Sequence, residues 1–250
     1  MSRAAAEVVA VPGYFDCAGE AICRIPRAAS EGEALHLLRD ASHSVGADVA
    51  LFCSRVHDSP VQLRFMLACD PRWYLVYERS PAELAAPWLD YAAHCADPLC
   101  GADLACQVPA YAPALEDAKA FGFASTLVVP SPSARSAAHL SVLVLGSRVP
   151  GFFDDEPRTA VRVMARSLSM ELHTWRLAQA RRELIVRAQL TETDIELLRQ
   201  ERKGLRTKDI ARHLAMTAPA IDSRFQRLNA RLGVPSRKAA ASLAATFGLV

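Results

Sequence analysis

The last stretch of the chain, Leu190 to Val250, holds four short helical patterns in succession, each with its own start signal, and few folds accept that arrangement. Thr191 suits an N-cap, with Asp194 three residues on as a shortened capping box and Leu190 placed to staple onto Ile195. Leu197 and Leu198 supply a buried face, and Gly204 stands where a helix C′ residue belongs. Thr207 is expected to cap the next helix, with Asp209 in its first turn and Ile210 and Leu214 on one face. After a tight turn at Ala215 and Met216, Thr217 caps a third helix. Its first turn accepts Pro219, because an N–H there has no intrahelical partner. The apolar stripe of that helix is Ile221, Phe225, Leu228 and Leu232. Ser236 caps the last helix and Gly248 closes it.

Two helices joined by a turn of about three residues make a helix-turn-helix, whose second helix lies in the DNA major groove. The outward face of the third pattern carries Asp222, Gln226 and Asn229, flanked by Arg224, Arg227 and Arg231. Amides and carboxylates read base edges, and guanidinium groups hold phosphates. A small helical bundle with a solvated basic face meets the same spacing, so charge has to help decide. Residues 190–250 hold 11 Lys and Arg against 6 Asp and Glu, a net +5, whereas the rest holds 18 against 21, a net −3. A basic small domain beside a slightly acidic larger one fits nucleic-acid binding at one end only.

The remaining chain reads as one α+β domain. Glu31 to Val45 is expected to be helical, ended by Gly46. Asp48–Val56 and Gln62–Ala68 read as strands around a turn at Asp58-Ser59-Pro60. Short helices and turns rich in aromatics follow, then a helix over Ala112–Phe121. Ser125–Val129 and Leu140–Leu145 read as two apolar strands joined by a flexible SPSARSAA segment. That order predicts an α/β/α sandwich, an antiparallel sheet with helices on both faces, ahead of an all-α four-helix helix-turn-helix domain. A long helix starts at Asp154 or Asp155, takes Pro157 in its first turn and runs to about Arg182. Its stripe of Val161, Met164, Leu168, Leu172 and Trp175 packs on the sheet, and the helix also has room to share a dimer interface. The expected boundaries are 1–175 for the first domain, 176–188 for a linker and 189–250 for the second.

Several function classes fall away. No run approaches the ~18 apolar residues of a membrane span, and the N-terminal stretch lacks the charge and apolar length of a secretory signal. Seven cysteines (Cys17, Cys23, Cys53, Cys69, Cys95, Cys100 and Cys106) make no CxxC, which suits a reducing cytoplasm and argues against a disulfide framework or structural zinc. Seven scattered histidines form no HExxH, and GxSxG, P-loop and GxGxxG patterns are absent. His94 and Cys95 are adjacent on a helix and so point apart. The chain is not expected to be an enzyme or to hold a metal.

The C-terminal stretch resembles the LuxR-type helix-turn-helix, a pattern that begins LTxRExEVL, reaches a Gly and ends K-L-G-V-x-x-R-x-x-A. Leu190-Thr191, Leu198, Gly204, Ile210-Ala211, Leu232-Gly233-Val234, Arg237 and Ala240 stand at the matching spacing, with Asp194 in place of a Glu and Arg224 in place of a His. The first domain resembles the autoinducer-binding domain of quorum-sensing regulators, whose W-x3-Y-x8-D-P pattern falls on Trp73, Tyr77 and Ala86-Pro87. Tyr111 stands where that family often has a second pocket Trp, Thr126 where it has a Gly and Cys69 where it has a Tyr.

The resemblance implies a ligand pocket with Trp73, Tyr77, Ala86, Trp88 and Tyr111, although the same aromatics also suit an ordinary core. In that family the Asp at the place of Ala86 accepts the amide N–H of an acyl-homoserine lactone, and Ala86 accepts nothing. A buried amide left unpaired costs about 1–3 kcal/mol, so the implied small-molecule signal is either an acyl-homoserine lactone held without that bond or a different apolar ligand. No other cofactor is implied. The implied DNA-binding set is Thr207, Lys208, Asp222, Ser223, Arg224, Gln226, Arg227, Arg237 and Lys238. Asp222 and Gln226 would read base edges, and Arg224, Arg227, Arg237 and Lys238 would hold phosphates. The partners implied are double-stranded DNA, a small-molecule signal, a second copy of the chain and RNA polymerase, with no membrane and a cytoplasmic location. Two alternatives stay open: a ligand-independent regulator, and an antagonist that forms heterodimers with a related regulator.

Overall fold

A computed structural model of the chain describes residues 5–56, 62–70, 72–73, 81–109, 112–131, 139–154 and 158–250. The turn at Asp58-Ser59-Pro60, the segment 132–138 and Pro157 lie outside them. Two compact units divide the chain, Met1–Trp175 and Arg176–Val250.

The first unit is a three-layer α/β/α sandwich. In chain order its elements are α1 (Ala5–Val9), α2 (Tyr14–Cys23), a 3₁₀ turn (Ile25–Arg27), α3 (Glu31–Val45), β1 (Val49–Val56), β2 (Gln62–Ala68), α4 (Pro81–His94), β3 (Leu99–Cys100), α5 (Gly101–Gln107), α6 (Ala112–Lys119), β4 (Ser125–Ser131) and β5 (His139–Ser147). The long helix α7 (Arg158–Arg187) follows, and the division between units falls inside it. The 176–188 stretch expected to be a linker is therefore helical through Arg187, because the amphipathic pattern continues past Arg182 through Leu184. The strand at Leu99–Cys100 was not expected; two residues carry no readable alternation.

The sheet order is β2-β1-β5-β4-β3, with every neighbouring pair antiparallel. Strand side chains alternate between faces, and that rule sorts the core into two clusters. Ala50, Phe52, Leu127, Val129, Leu143 and Leu145 face α2, α3 and the Val161–Trp175 stripe of α7. Leu51, Cys53, Val128, Val142 and Val144 face the opposite way, toward Trp73, Trp88, Leu104 and Phe123. Both β4 and β5 are covered on each face, which explains why their sequences read as continuous apolar runs. Gly146 is needed at its place in β5, because a Cβ there would lie 2.5 Å from Phe123 and 2.6 Å from Val49.

Local signals set the ends of these elements. Ser30 caps α3 by accepting the Glu33 amide at 3.2 Å, while Glu33 Oε2 reaches back to the Ala29 amide at 2.8 Å. Gly46, with φ 104°, ends the helix as expected. The Trp175 indole donates to the Ala28 carbonyl at 2.9 Å and ties α7 to the approach to α3.

A polar seam interrupts the apolar contact between the sheet and α7. Ser54, Ser141 and Ser131 stand side by side on β1, β5 and β4, and all are buried. Ser131 Oγ lies 2.5 Å from Ser169 Oγ of α7, and Ser141 Oγ lies 2.9 Å from His173 Nδ1. Burial, reinforced by His139, holds the His173 imidazole down at about 4.

The second unit holds the end of α7 and four helices: α8 (Glu192–Arg202), α9 (Thr207–His213), α10 (Ala218–Leu232) and α11 (Arg237–Thr246). Leu197, Leu198, Ile210, Ile221, Phe225, Leu228, Leu232, Ala240 and Ala244 fill its core. The capping box at Thr191 and Asp194 is present, and Thr217 and Ser236 each accept the amide three residues on. One cap differs from expectation. Arg206, not Thr207, is the N-cap of α9, and Thr207 is its first residue. The Thr207 hydroxyl instead accepts a bond from Arg237.

Candidate nucleic-acid interface and aromatic core

Helices α9 and α10 are joined by residues 214–217. Ala215 takes φ 51°, and the Met216 amide closes back onto the Ala211 carbonyl at 2.9 Å, which ends α9 tightly and turns the chain into α10. On α10, Ile221, Phe225, Leu228 and Leu232 point inward. At 100° per residue, Ser223, Gln226, Arg227 and Ala230 fall on the opposite side, and all four are exposed. Asp222 and Asn229 lie on one flank of that strip and are half-buried; Arg224 and Arg231 lie on the other. Asn229, read from sequence as part of the outward face, has its Oδ1 buried and, among the described residues, without a hydrogen-bond partner.

Each flank is tied down by ions. On one side the buried Asp194 carboxylate accepts Arg224 Nε at 2.9 Å, Arg231 Nη2 at 2.9 Å and the Thr191 amide at 3.1 Å. Arg224 also donates to Thr191 Oγ1 at 3.0 Å, and Arg231 to the Gln189 carbonyl at 2.7 Å. Burial alone would push the Asp194 carboxyl up; the Thr191 amide and the two guanidiniums reverse this and hold it at about 2. On the other side Arg237 donates from Nη2 to Asp222 Oδ1 and from Nη1 to Thr207 Oγ1 at 3.1 Å, with its guanidinium 4.7 Å over the Phe225 ring.

The expected DNA-binding residues thus fall into two groups. Lys208, Ser223, Gln226, Arg227 and Lys238 are exposed, with Arg227 donating to Ser223 Oγ at 2.8 Å. Thr207 and Asp222 both accept from Arg237, and Arg224 faces Asp194. Arg231 belongs with this second group although the sequence placed it only as a flanking charge. The signal was present: Arg224 and Arg231 are seven apart and so share a helix face, opposite a carboxylate that the capping box buries.

In the first unit, Trp73 and Trp88 are each 1 % exposed and meet edge-on with ring centroids 6.2 Å apart. Phe121 stacks on Trp73 at 5.6 Å and Phe123 meets it edge-on at 4.4 Å. Both phenylalanines were missed as pocket candidates, because α6 and the turn after it carry no pattern that aims them. Among the described residues the buried Trp88 indole N–H has no hydrogen-bond partner, an unusual state for that group. Tyr77 and Tyr111 lie outside the described residues, as does the side chain of Ala86. A cavity of about 210 Å³ lies beside this cluster, lined by Gly101, Ala105, Leu115, Phe123 and Thr126 among others. That is below the ~300–1,000 Å³ of ordinary small-molecule sites. No group of His, Cys, Asp and Glu among the described residues could hold a metal ion, and no described helix is long and apolar enough to cross a membrane.

No protein-family model matches the sequence and no curated protein matches it. Solved structures do match. Escherichia coli SdiA is 17 % identical, with a TM-score of 0.67 over 94 % of this chain and 98 % of that one. SdiA in complex with octanoyl-rac-glycerol is 16 % identical, with a TM-score of 0.66 over 93 % and 95 %. CepR2 of Burkholderia cenocepacia, described as an N-acylhomoserine lactone dependent LuxR family transcription factor, is 16 % identical, with a TM-score of 0.51 over 65 % and 95 %. This chain has the fold of Escherichia coli SdiA along nearly the whole length of both, and the LuxR resemblance read in its sequence is matched by a LuxR-family fold.

Proposed function

We propose that the chain is a ligand-responsive, DNA-binding transcriptional regulator of the LuxR type, acting as a dimer on an inverted-repeat site in the cytoplasm. The observation that carries this reading is the outward strip of α10. Ser223, Gln226 and Arg227 stand exposed on a helix held along both flanks by ion pairs, directly after α9 and its tight turn. That is a rigid polar surface of the kind that enters a major groove. The basic excess of residues 190–250 supports it, because neutralising phosphates supplies most of the affinity for DNA. One such module buries little DNA, so two copies on two half-sites are needed for tight binding. Exposed Val163 and Met170 on α7 suit a contact with the second copy. The N-terminal unit takes the signal, the C-terminal unit takes the DNA, and RNA polymerase is the further partner of such a regulator.

The unpaired Trp88 N–H supports a ligand that brings an acceptor oxygen, and octanoyl-rac-glycerol in complex with SdiA is a precedent for a neutral acyl ester. A ligand-independent regulator is the second reading, favoured by the direct ring contacts among Trp73, Trp88, Phe121 and Phe123. Thermal unfolding and duplex binding of the pure chain, with and without an acyl-homoserine lactone or octanoyl glycerol, separate the two. A raised Tm and tighter DNA binding with either compound support the ligand-responsive reading. Specific DNA binding by ligand-free protein, unchanged by both compounds and with nothing co-purifying, supports the second.

A further inference from the structure

We infer that Asp222 is a positioning residue for Arg237, and that base reading by α10 falls to Ser223, Gln226 and Arg227. The inference rests on the DNA-binding reading above and assigns the roles within it. By residue type Asp222 suits a base contact, since a carboxylate accepts from the cytosine amino group. Its surroundings give it another task. The Arg237 guanidinium sits where three elements meet: Nη1 donates to Thr207 Oγ1 at the start of α9, Nη2 donates to Asp222 Oδ1 on α10, and the planar group rides over Phe225.

Phe225 is a core residue only 1 % exposed, so the platform under Arg237 is fixed. A guanidinium has five N–H donors. Among the described residues two are taken by Thr207 and Asp222, and the rest remain on a side chain that is 30 % exposed. Asp222 and Thr207 therefore orient a cation beside the reading face with donors to spare, which is what a backbone phosphate requires. For Asp222 to reach a base it would have to release Arg237 and bring an unpaired carboxylate among phosphates. Ser223, Gln226 and Arg227 face no such conflict: they point outward, and their one internal bond, Arg227 to Ser223, links exposed groups.

The test selects from a duplex pool with a randomised centre, using the full chain, Asp222→Asn and Arg237→Ala, and then titrates each protein against the wild-type winner over a salt series. Asn keeps an oxygen for Arg237 and removes only the charge. The expected result is the same preferred sequence for all three proteins. Asp222→Asn should bind no more weakly than wild type, with a salt slope equal or steeper by up to about 0.9, and Arg237→Ala should bind every duplex more weakly with a slope shallower by about 0.9. Loss of preference at one base pair in Asp222→Asn, with affinity for the winner lower by about tenfold or more, would overturn the assignment. So would a changed preference in Arg237→Ala. If the wild-type chain selects no sequence at all, the DNA-binding reading itself fails, an outcome distinct from both.

Discussion

Arg224 donates from Nε to Asp194 Oδ1 across 2.9 Å, onto a carboxylate that is 1 % exposed. Arg231 approaches the other oxygen of the same group. One acid that began as part of a capping box thus fastens α10 to the start of α8. Removing the charge of Asp194 leaves two guanidiniums that water can reach, since Arg224 and Arg231 are partly exposed, and the lost charge-assisted hydrogen bonds cost about 1–3 kcal/mol. Asp194→Asn is therefore expected to lower the unfolding free energy of the C-terminal unit by that order, measured by urea titration followed by far-ultraviolet circular dichroism. A change below about 0.5 kcal/mol would show that the clamp contributes nothing.

The same carboxylate gives a pH signature. Its folded value of about 2 lies below its ordinary 3.8, so its contribution is complete above about pH 4 and is lost as pH falls toward 2. Wild type should lose stability in that window, and Asp194→Asn should lack that part of the acid limb.

His173 acts in a separate window. A buried imidazole kept neutral to about pH 4 binds its proton later than in the unfolded chain, where 6.5 is ordinary. The unfolded state therefore gains protons first as pH falls, and stability drops between about pH 6.5 and pH 4, then levels off for this group. The full loss approaches about 3 kcal/mol. His173→Gln, which can still bond Ser141, is expected to flatten this limb; an unchanged limb between pH 6.5 and 4 would assign it to other groups.

If the outward strip of α10 reads DNA as proposed, Gln226→Ala is expected to relax sequence preference at one base pair, at about 1–3 kcal/mol of discrimination. Lys238→Ala is expected to weaken all duplexes alike and to reduce the salt slope by about one. Binding titrations on the preferred and a scrambled duplex separate these effects. The same change in both variants would refute the division of roles.

Trp88→Phe removes a buried donor that has no partner among the described residues, while keeping an aromatic ring against Trp73. If that donor serves a ligand carbonyl, the variant should keep its unliganded Tm and lose most of the shift given by octanoyl glycerol. An undiminished shift would mean that the N–H makes no ligand contact.

Much of this was legible in residue order. The helical unit announced itself because Thr191, Thr217, Ser236 and the glycines at 204, 233 and 248 punctuate short amphipathic runs, and local capping chemistry fixes such ends. The sheet was legible because β1, β2, β4 and β5 are apolar runs of strand length. What escaped depends on distance in space. Arg206 rather than Thr207 stands at the N-cap of α9, and the Thr207 hydroxyl serves Arg237, thirty residues on. Asp222 and Gln226 look alike as base readers until the fold sets Asp222 against Arg237 and leaves Gln226 exposed. Phe121 and Phe123 reach Trp73 only through tertiary packing, which no spacing encodes.

In the proposed complex the exposed strip of α10 reads DNA as one half of a symmetric pair. The most direct test is selection by the full chain from a randomised duplex pool, with the mass of the bound complex measured on the winner. The expected winner is an inverted repeat with half-sites about one helical turn, roughly 10 base pairs, apart, carrying two chains per duplex. No enrichment over the starting pool, or a single unrepeated site bound by one chain, would contradict it.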